Sequence, residues 1–396
     1  MQNRHTKLPL VKLNPSGTHR CLYGHSWIFD NEFKKPDDLD PGAEVDVADA
    51  RGRFIGRGYF NPASKIAIRL FTRSSRATLT TDFFMKRIVQ ARDARKSFLP
   101  EDEPRRIVFS EGDRLPGVVA DMYGSAIVVQ ILTLGMDLRR ERIVEALMSV
   151  YAPDAIYERS DVTSRSREGL PERKGDLIGS IPERIELSTD GVRFAVHPKT
   201  GHKTGCYLDQ RFNRRRFAEF AAGGRVLDAF AYQGLFGVYA GCAGASEVLA
   251  IESSDEACRE LKDNADLNGR PVELMRANVF DTLKLLESEG RRFDLISLDP
   301  PSFTKSIGAS SNAKRGYKEI NLRAMRLLSE HGILFTSSCS FHTDRESFID
   351  SLSEAACDSR RIMQLIELRS ASPDHPVRME VPETDYLKCA VLQARE

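Results

Sequence analysis

The carboxyl-terminal part of the chain, from about Asn213 onward, alternates short apolar segments with segments of helical periodicity. Apolar runs of this length, separated by helices, are typical of strands that are buried on both faces. Strands are predicted over 225–228, 248–252, 272–276, 294–298, 333–337 and 386–392, and helices over 235–243 and 255–267. This pattern predicts a doubly wound parallel sheet, in which a ligand binds at the carboxyl ends of the strands near the point where the strand order reverses.

Acidic residues end the first two predicted strands. Asp228 precedes a strand-to-helix turn that contains Gly234, and Glu252 ends the next strand. A glycine there lets the backbone approach a ligand closely, and an acid at Glu252 can accept hydrogen bonds from ribose hydroxyls. The Gly-x-Gly-x-x-Gly triplet and a Walker-type Gly-Lys-Ser/Thr are missing, which counts against a dinucleotide or a nucleoside triphosphate. The residues therefore favour a nucleoside that carries a cationic sulfonium and an amino acid, S-adenosylmethionine.

The expected cofactor contacts lie at these strand ends. Asp228 should pair with the amino-acid moiety, Glu252 with the ribose, and Asn278, after the third strand, with adenine. The turn after the first strand supplies Phe230, Tyr232 and Gly234. Taken singly, each polar residue is better explained as a helix cap or a solvent-facing turn residue, and only their order and spacing together favour a cofactor pocket.

The fourth predicted strand runs into Asp299-Pro300-Pro301-Ser302-Phe303. Two consecutive prolines fix φ and withhold backbone donors, so they should form a rigid ledge. The ledge would hold the Asp299 carboxylate and the Pro300 carbonyl over the mouth of the pocket, where a planar polar group can dock. The alternative is a plain turn.

The fifth predicted strand exits into Ser337-Ser338-Cys339-Ser340, which should place a thiol at the same sheet edge as Asp299. A thiolate can add to C6 of a pyrimidine, and this addition makes C5 nucleophilic enough to attack an electrophilic methyl group. Free cysteine is also common as buried core filler, so both interpretations of Cys339 stay open on the residues alone.

The first 200 residues have a different character. Residues 10–73 show short strand patterns with turn signals, including one at Pro15-Ser16-Gly17, which predicts a small barrel or sandwich. The stretch 41–71 resembles a PUA-type RNA-binding barrel. Residues 74–200 predict an α+β middle domain, with helices over 82–98 and 139–150, strands over 106–109, 117–121, 126–132, 155–158 and 184–197, and a loop over 159–179. The expected domains are 1–73, 74–200 and 201–396.

Composition limits the partners. Lys plus Arg number 58 and Asp plus Glu 57, so any site for a polyanion must be a local patch. Seven cysteines form no Cys-x-x-Cys pair and stand at no zinc-ligand spacing, so neither disulfides nor a metal is expected. The apolar run 126–132 is too short to cross a bilayer, and no membrane partner is expected. We expect a cytoplasmic protein with free thiols.

Several segments together resemble the ribosomal RNA large subunit methyltransferase I family, which are S-adenosylmethionine-dependent cytosine-C5 methyltransferases with a PUA domain, an α+β middle domain and a Rossmann-like domain. The resemblance covers nearly the whole chain. It is carried by Glu111-Gly112-Asp113-Arg114-Leu115-Pro116-Gly117, Tyr157-Glu158-Arg159-Ser160-Asp161, the stretch 201–211 that ends in Asp209-Gln210-Arg211, Asp299-Pro300-Pro301-Ser302-Phe303, the stretch 315–321 and Ser338-Cys339-Ser340.

The resemblance implies that Cys339 is the nucleophile and that Asp299 hydrogen-bonds the cytosine. It also implies that Asp209, Gln210 and Arg211 lie beside the cofactor and the target base. Many RNA cytosine-C5 methyltransferases carry a second cysteine after the Asp-x-Pro ledge, and here that position is Ser302, so the group that assists release is not identified. Large-subunit ribosomal RNA is the implied partner, with a possible homodimer.

The target base must leave its helix or come from a loop before C5 and C6 can react. Tyr317 or Phe303 could stack on it, and the Pro300 carbonyl could contact it. Arginines before the Rossmann-like domain are either phosphate contacts or a solvated helix start, and the two are equally consistent with the sequence. They are Arg211, Arg214, Arg215 and Arg216.

Three other functions are alternatives to cytosine-C5 methylation. A guanine-N7 ribosomal RNA methyltransferase would share the Asp-Pro-Pro ledge but would not need Cys339, because guanine N7 already has a lone pair. A non-catalytic RNA-binding assembly factor would keep only the fold. Methylation of an exocyclic amine is disfavoured, because such enzymes usually place an aromatic residue where this chain has Ser302.

Overall fold

Residues 8–36, 38–303, 310–340 and 343–395 are described by the computed structural model of the chain. They form two compact units. The first consists of Met1–Ile185, His197–Cys206 and Pro373–Thr384, and the second of Glu186–Val196, Tyr207–Ser372 and Asp385–Glu396. The chain therefore passes between the units more than once. No helix among the described residues combines the length and the apolar character needed to cross a membrane.

Short strands near the amino terminus form a five-stranded sheet in the order β1-β3-β4-β5-β2. They are β1 (Leu10–Lys12), β2 (Trp27–Ile28), β3 (Glu44–Ala48), β4 (Phe54–Phe60) and β5 (Ile68–Thr72). One local prediction is wrong, because the turn expected at Pro15-Ser16-Gly17 is the start of helix α1 (Pro15–Leu22). The side chain of Asn14 accepts the Gly17 N–H at 3.0 Å, and proline fits the first helical position, so these residues begin a helix.

A second five-stranded sheet in the first unit has the order β10-β9-β8-β7-β6. The strands are β6 (Arg105–Phe109), β7 (Val118–Tyr123), β8 (Ala126–Ile131), β9 (Ala155–Ser160) and β10 (Arg173–Ile178), and the helices are α2 (Thr81–Arg95), α3 (Leu134–Asp137) and α4 (Arg140–Tyr151). The loop predicted over 159–179 contains β10, which pairs antiparallel with β9. This edge strand has mostly exposed polar residues, so it shows no apolar alternation that sequence reasoning could detect.

The second unit begins with the two-stranded sheet β11 (Ile185–Thr189) and β12 (Val192–Val196), followed by helix α5 (Arg211–Ala218). A seven-stranded sheet follows in the order β15-β14-β13-β16-β17-β19-β18. Its strands are β13 (Arg225–Ala229), β14 (Glu247–Glu252), β15 (Glu273–Arg276), β16 (Phe293–Leu298), β17 (Leu328–Ser338), β18 (Met363–Arg369) and β19 (Lys388–Ala394). All neighbours from β15 to β17 run parallel, and β19 runs antiparallel to both of its neighbours.

This order confirms the predicted doubly wound sheet. Its helices are α6 (Leu235–Cys242), α7 (Asp255–Leu267), α8 (Val279–Ser288), α9 (Ser310–Leu327) and α10 (Arg345–Ser359). The order reverses between β13 and β16, where Asp228 is in register with Ser297. Fully buried aliphatic residues of the central strands, among them Leu227, Ile296 and Leu334, pack against α8, α9 and α10. The packed core therefore fixes the strand ends at which the predicted site residues lie.

Candidate active site

The turn that follows β13 has three residues in the left-handed region of backbone space. Their φ values are 61° at Phe230, 48° at Tyr232 and 71° at Gly234. A left-handed conformation costs a non-glycine residue on the order of 1 kcal/mol, so two such residues in a short turn indicate a tightly imposed backbone path. At Gly234 a Cβ atom would lie 2.4 Å from Leu261 Cγ, so glycine is required there for space as well as for φ.

Asp228 lies beneath this turn with 1% of its surface exposed. Its Oδ2 accepts the N–H of Gly237, in the first turn of α6, at 2.9 Å. Burial raises the pKa of Asp228 to about 8, against the Gly237 hydrogen bond and with the support of the charges on Asp299 and Glu252. The hydrogen bond to Gly237 therefore holds the start of α6, as a capping side chain does. The Asp228 carboxyl group also lies close to two further acids, Asp299 and Glu252.

Glu252 connects the ends of β13 and β14. Its Oε2 accepts the Tyr232 N–H at 2.9 Å, and its Oε1 accepts the N–H groups of Ser253 at 2.7 Å and Ser254 at 2.8 Å. Each carboxylate oxygen has two lone pairs, so Oε2 can accept a second hydrogen bond. The structure thus brings together Tyr232 and Glu252 through a backbone hydrogen bond.

Asn278 lies after β15 and caps α8. Its side-chain oxygen accepts the N–H of Phe280 at 2.9 Å, and the residue is exposed. The ring of Phe280 meets that of Phe230 edge to face at 6.3 Å. The capping alternative is thus observed for the oxygen of Asn278, while its amide nitrogen is not used in the cap.

The Asp-Pro-Pro segment begins where β16 ends. The Asp299 N–H donates to the Ala229 carbonyl at 3.4 Å, which ties the segment to the end of β13. Asp299 is half-buried, Pro300 is buried and Pro301 is exposed. The Asp299 charge acts on Asp228, Tyr317 and Cys389, so its carboxylate lies within the same group of strand ends.

Cys339 directly follows β17 and is half-buried. Its charge acts on two neighbours, Tyr317 and Lys388. Lys388, at the start of β19, pairs with Ser338 across the sheet and is only 3% exposed. Its ammonium donates to the carbonyl oxygens of Ser340 at 2.7 Å and Tyr386 at 2.9 Å. The thiol therefore has a buried cation among its near neighbours.

Sequence reasoning missed Lys388. Burial lowers the pKa of Lys388 below its ordinary value, although the nearby Asp385 carboxylate and Cys339 sulfur act in the opposite direction. A lysine at the start of an otherwise apolar strand, within Leu387-Lys388-Cys389-Ala390-Val391, was the signal that could have revealed it.

The two aromatic candidates for stacking differ in exposure. Tyr317 is 1% exposed, and its hydroxyl oxygen accepts a hydrogen bond from Ser338 Oγ at 3.0 Å. Burial raises the pKa of Tyr317 to about 12, and the charges of Cys339 and Asp299 act in the same direction. Phe303 is half-buried and meets the Tyr317 ring edge to face at 4.8 Å. The Phe303 ring is therefore the more accessible of the two, and it packs against the buried ring of Tyr317.

Asp209 and Gln210 lie in a single 3₁₀ turn, Leu208–Gln210, and are 3% and 2% exposed. The Gln210 amide donates to Ser337 Oγ at 3.1 Å, and the Tyr386 hydroxyl donates to the Asp209 carboxylate. The Gln210 contact brings this turn to the end of β17, and the Asp209 contact ties it to Tyr386, just before β19.

Arg211 follows this turn and is buried, with its Nε 3.6 Å from the Asp190 carboxylate. The remaining arginines of α5 divide by exposure. Arg214 is buried and donates to the Tyr207 carbonyl, Arg216 pairs with Glu367 and Glu219, and Arg215 is exposed. Arg215, although exposed, lies 4.0 Å from the Asp190 carboxylate, so all four arginines have partners within the second unit.

Comparison with known proteins supports this architecture. A PUA-like domain matches residues 11–73, and an S-adenosylmethionine-dependent methyltransferase family matches residues 139–378. The curated ribosomal RNA large subunit methyltransferase I of Pseudoalteromonas atlantica is 38% identical over 391 residues, which cover 96% of this chain and 99% of the relative. The protein of the same name from Tolumonas auensis is 39% identical and covers 97% and 99%. The chain belongs to the ribosomal RNA large subunit methyltransferase I family.

A solved structure agrees with this family assignment at the level of the fold. The structure, described as a SAM-dependent methyltransferase from Streptococcus mutans, has a TM-score of 0.85 and 21% identity, and the match covers 98% of this chain and 100% of that chain. A second structure with the same scores was solved in complex with SAH. The PUA-like domain, the Rossmann-like methyltransferase domain and S-adenosylmethionine as cofactor, all predicted from the sequence, are confirmed.

The strand ends of the methyltransferase domain fit this cofactor. Three carboxylates, Asp228, Glu252 and Asp299, lie close enough for two of them to raise the pKa of the third. A sulfonium and an α-ammonium are cations, so they would relieve this repulsion. The left-handed turn at Gly234 follows β13 at the same strand ends. When bound, the cofactor supplies an electrophilic methyl group.

Proposed function

We propose that the protein methylates C5 of a cytosine in large-subunit ribosomal RNA through a covalent bond between Cys339 and C6. The name of the curated relatives and the PUA-like domain support RNA as the substrate. The half-buried thiol of Cys339 supports the cytosine chemistry, because it follows β17 while Asp299 follows the neighbouring strand β16. The proposal rests on this position of the thiol.

Two residues of the chain, Cys339 and Asp299, would act on the base. The sulfur of Cys339 would form a bond to C6 while the C5=C6 electron pair shifts through C4 to N3, and N3 would take a proton from the Asp299 carboxyl group in its protonated form. C5 then becomes the nucleophile that takes the methyl group. As C5 takes the methyl group, N3 would return its proton to Asp299. A general base would then take the C5 proton, the electrons of that C–H bond would restore the C5=C6 double bond, and the C6–S bond would break to return Cys339 as a thiolate. Without the covalent bond, C5 of cytosine is too weak a nucleophile.

Lys388 is proposed to hold Cys339 in its reactive form. A thiolate is the nucleophilic species, and a neighbouring cation stabilises it. Two backbone carbonyls orient the Lys388 ammonium, at 2.7 and 2.9 Å, so its position is fixed before RNA arrives. The lysine is therefore a positioning residue for the nucleophile.

Cofactor and base would meet the remaining candidates as follows. The Glu252 carboxylate would accept the ribose hydroxyls, and the Asn278 amide nitrogen would donate to adenine. The Phe303 ring would stack on the flipped cytosine. The Pro300 carbonyl would accept a hydrogen bond from the amino group of that cytosine. The other proposed cofactor neighbours are Asp209, Gln210, Asp228, Phe230, Tyr232 and Gly234.

A trapping experiment tests the proposal. RNA in which 5-fluorocytidine replaces cytidine still accepts attack at C6 and a methyl group at C5, but it has no C5 proton to lose. The wild-type protein with S-adenosylmethionine should therefore form a complex with this RNA that survives denaturing electrophoresis. The Cys339→Ala variant should form none. Cys357→Ala is the matched control, because that cysteine is exposed on α10, and it should behave as the wild type.

Nucleoside mass spectrometry of the methylated RNA identifies the product. The proposal expects 5-methylcytidine from the wild type and none from Cys339→Ala. Full activity of Cys339→Ala with 7-methylguanosine as the product would establish the guanine-N7 alternative instead. RNA binding with no methyl transfer by any variant would favour the assembly-factor alternative.

A further inference from the structure

A cleft lined by four arginines lies in the first unit, outside the methyltransferase sheet. Its volume is about 480 Å³, and Arg73, Arg87, Arg114 and Arg378 line it together with Glu380. Arg73 follows β5, Arg87 is on α2, Arg114 follows the 3₁₀ turn Ser110–Asp113, and Arg378 belongs to the segment Pro373–Thr384. Segments far apart in sequence thus contribute charge of one sign to one place.

The partners of these guanidinium groups are mostly neutral. Arg73 donates to the carbonyls of His25 at 3.1 Å and Ile55 at 3.2 Å, and Arg378 donates to the Glu111 carbonyl at 3.2 Å. Glu380, 3.6 Å from Arg378, is about half exposed and is the acid in the lining. Carbonyl oxygens orient the arginines but do not neutralise them, so the positive charge of the cleft persists.

The other two arginines of the cleft are Arg87 and Arg114. Arg87 donates to the Phe71 carbonyl at 3.4 Å and to the Gln90 side chain at 3.1 Å. The guanidinium of Arg114 has no hydrogen-bond or ion-pair partner among the residues that the structure describes. Its residue is exposed and has a left-handed φ of 59°.

The arginines of the cleft also repel one another. Burial lowers the pKa of Arg87, and the charges of Arg114 and Arg378 lower it further. Burial likewise lowers the pKa of Arg73, and Arg378 acts in the same direction. An anion in the cleft would relieve this repulsion.

Several buried arginines elsewhere in the first unit have direct acidic partners. Arg95 pairs with Asp113 at 2.6 Å, Arg106 with Asp121 at 2.8 Å, and Arg69 with Glu111 at 3.0 Å. Those pairs are structural. The cleft differs from them because its positive charge exceeds the acids that line it.

A second cleft of about 300 Å³ extends the first. Arg87 and Arg114 line both, and Gln90, Gly112 and Asp113 continue the surface. The Asp113 carboxylate is paired with Arg95 at 2.6 Å. Two adjoining clefts that share two arginines can accept more than one phosphate of a chain, whereas a single small anion needs only one. Since the whole chain has a formal net charge of only +1, this local patch is the kind of site that a polyanion requires.

We propose that the arginine cleft, formed by Arg73, Arg87, Arg114 and Arg378, binds the phosphodiester backbone of single-stranded RNA. The inference rests on the proposed function for the identity of the polyanion. Arginine forks pair with phosphate oxygens through two parallel hydrogen bonds, and such contacts carry no base preference. The cleft would hold the RNA substrate while sequence is recognised elsewhere.

The test is the salt dependence of RNA binding, measured by fluorescence anisotropy with labelled oligouridylate and no cofactor. In the double variant Arg87→Gln/Arg114→Gln, affinity at low salt should fall roughly tenfold. The slope of log affinity against log salt should become shallower by about 1.4, since each lost phosphate contact removes about 0.7 for a single strand. The charge-matched control is Arg51→Gln/Arg167→Gln, which removes two exposed arginines outside the cleft lining and should change neither value. Arg87→Lys/Arg114→Lys should keep the slope.

Each other outcome overturns the proposal. Equal loss in the cleft variant and the control would mean general electrostatics, and no loss in either would exclude the cleft. Displacement of the RNA by inorganic phosphate, beyond the effect of chloride at equal ionic strength, would indicate a small-anion site. Thermal melts of every variant check folding. The binding measurement needs no methyl transfer, so it separates the two proposals. If the cleft variant loses RNA affinity but the wild type makes no methylated cytosine, the proposed function alone is refuted. If the wild type makes methylated cytosine but the cleft variant keeps its RNA affinity, the cleft proposal alone is refuted.

Discussion

Replacing Asp228 by asparagine should change how the stability of the second unit depends on pH. Burial raises the pKa of this carboxyl group to about 8 in the folded protein, from an ordinary value of 3.8. Between these two values the folded state holds the proton and the unfolded state does not. A state that binds more protons loses stability as pH rises, so the free energy of unfolding should fall through this window and level off above about pH 8.

The size of the effect follows from the same values. Each pH unit between the two pKa values corresponds to about 1.4 kcal/mol. From about pH 6 to about pH 9, the contribution of Asp228 should therefore fall by about 2.7 kcal/mol, most of it below about pH 8. Asparagine has nearly the same shape, cannot ionise, and keeps an oxygen that can accept the Gly237 N–H. Relative to the wild type, Asp228→Asn should gain this amount over the same interval.

Hydrogen-exchange mass spectrometry across the pH range can measure the difference, with peptides from β13 (Arg225–Ala229) reporting on the strand that carries Asp228. Other titrating groups are common to both proteins and cancel. Asp294→Asn is the control. Although burial raises the pKa of Asp294, hydrogen bonds from Arg225 and Ser329 keep it below its ordinary value, so this variant should show no pH-dependent difference in the window. A constant difference between Asp228→Asn and the wild type would refute the reasoning, because Asp228 would then be ionised throughout.

Three further predictions concern the site. Gly234→Ala should destabilise the second unit by about 2–4 kcal/mol in urea unfolding, because its Cβ would lie 2.4 Å from Leu261 Cγ. Gly223→Ala, with a similar φ of 72° and open space around it, should cost about 1 kcal/mol. Equal costs for the two variants would show that the clash with Leu261 does not contribute. Lys388→Met should lower kcat for methyl transfer roughly tenfold or more and move the pH optimum upward, because the thiolate loses its cation; an unchanged pH profile would leave Lys388 a structural residue. Phe303→Ala should raise KM for RNA about tenfold while the Kd for S-adenosylmethionine stays the same, since stacking contributes about 1–3 kcal/mol per base; a parallel loss of cofactor affinity would contradict a stacking role.

Strand-end reasoning located much of the candidate site from the sequence. Asp228, Glu252, Asp299 and Cys339 each follow or end a parallel strand, and parallel strands bring their carboxyl ends to one edge of the sheet. Alternating apolar segments were enough to predict that edge. The residue types at its ends then indicated the cofactor.

Lys388 could not be identified by reasoning from where the parallel strands end. It begins β19, which runs antiparallel to β17, so the amino end of β19 lies at the edge formed by the carboxyl ends of the parallel strands. A rule based on where strands end misses residues at the start of a reversed strand. The burial of Tyr317 was unpredictable for a related reason, because it depends on how α9 packs against the sheet and on the hydrogen bond from Ser338.

The segment Pro373–Thr384 joins the first unit although nearly all of the second unit precedes it in the chain. Asp374 in this segment is 1% exposed. It accepts the side chain of Arg95 at its carbonyl and the Arg106 N–H at its carboxylate, each at 2.8 Å. During synthesis from the amino terminus, the first unit therefore cannot finish folding until residues 373–384 have left the ribosome. A chain that ended before this segment would leave the partners of Asp374 unsatisfied and would lack Arg378, although it would contain nearly all of the second unit.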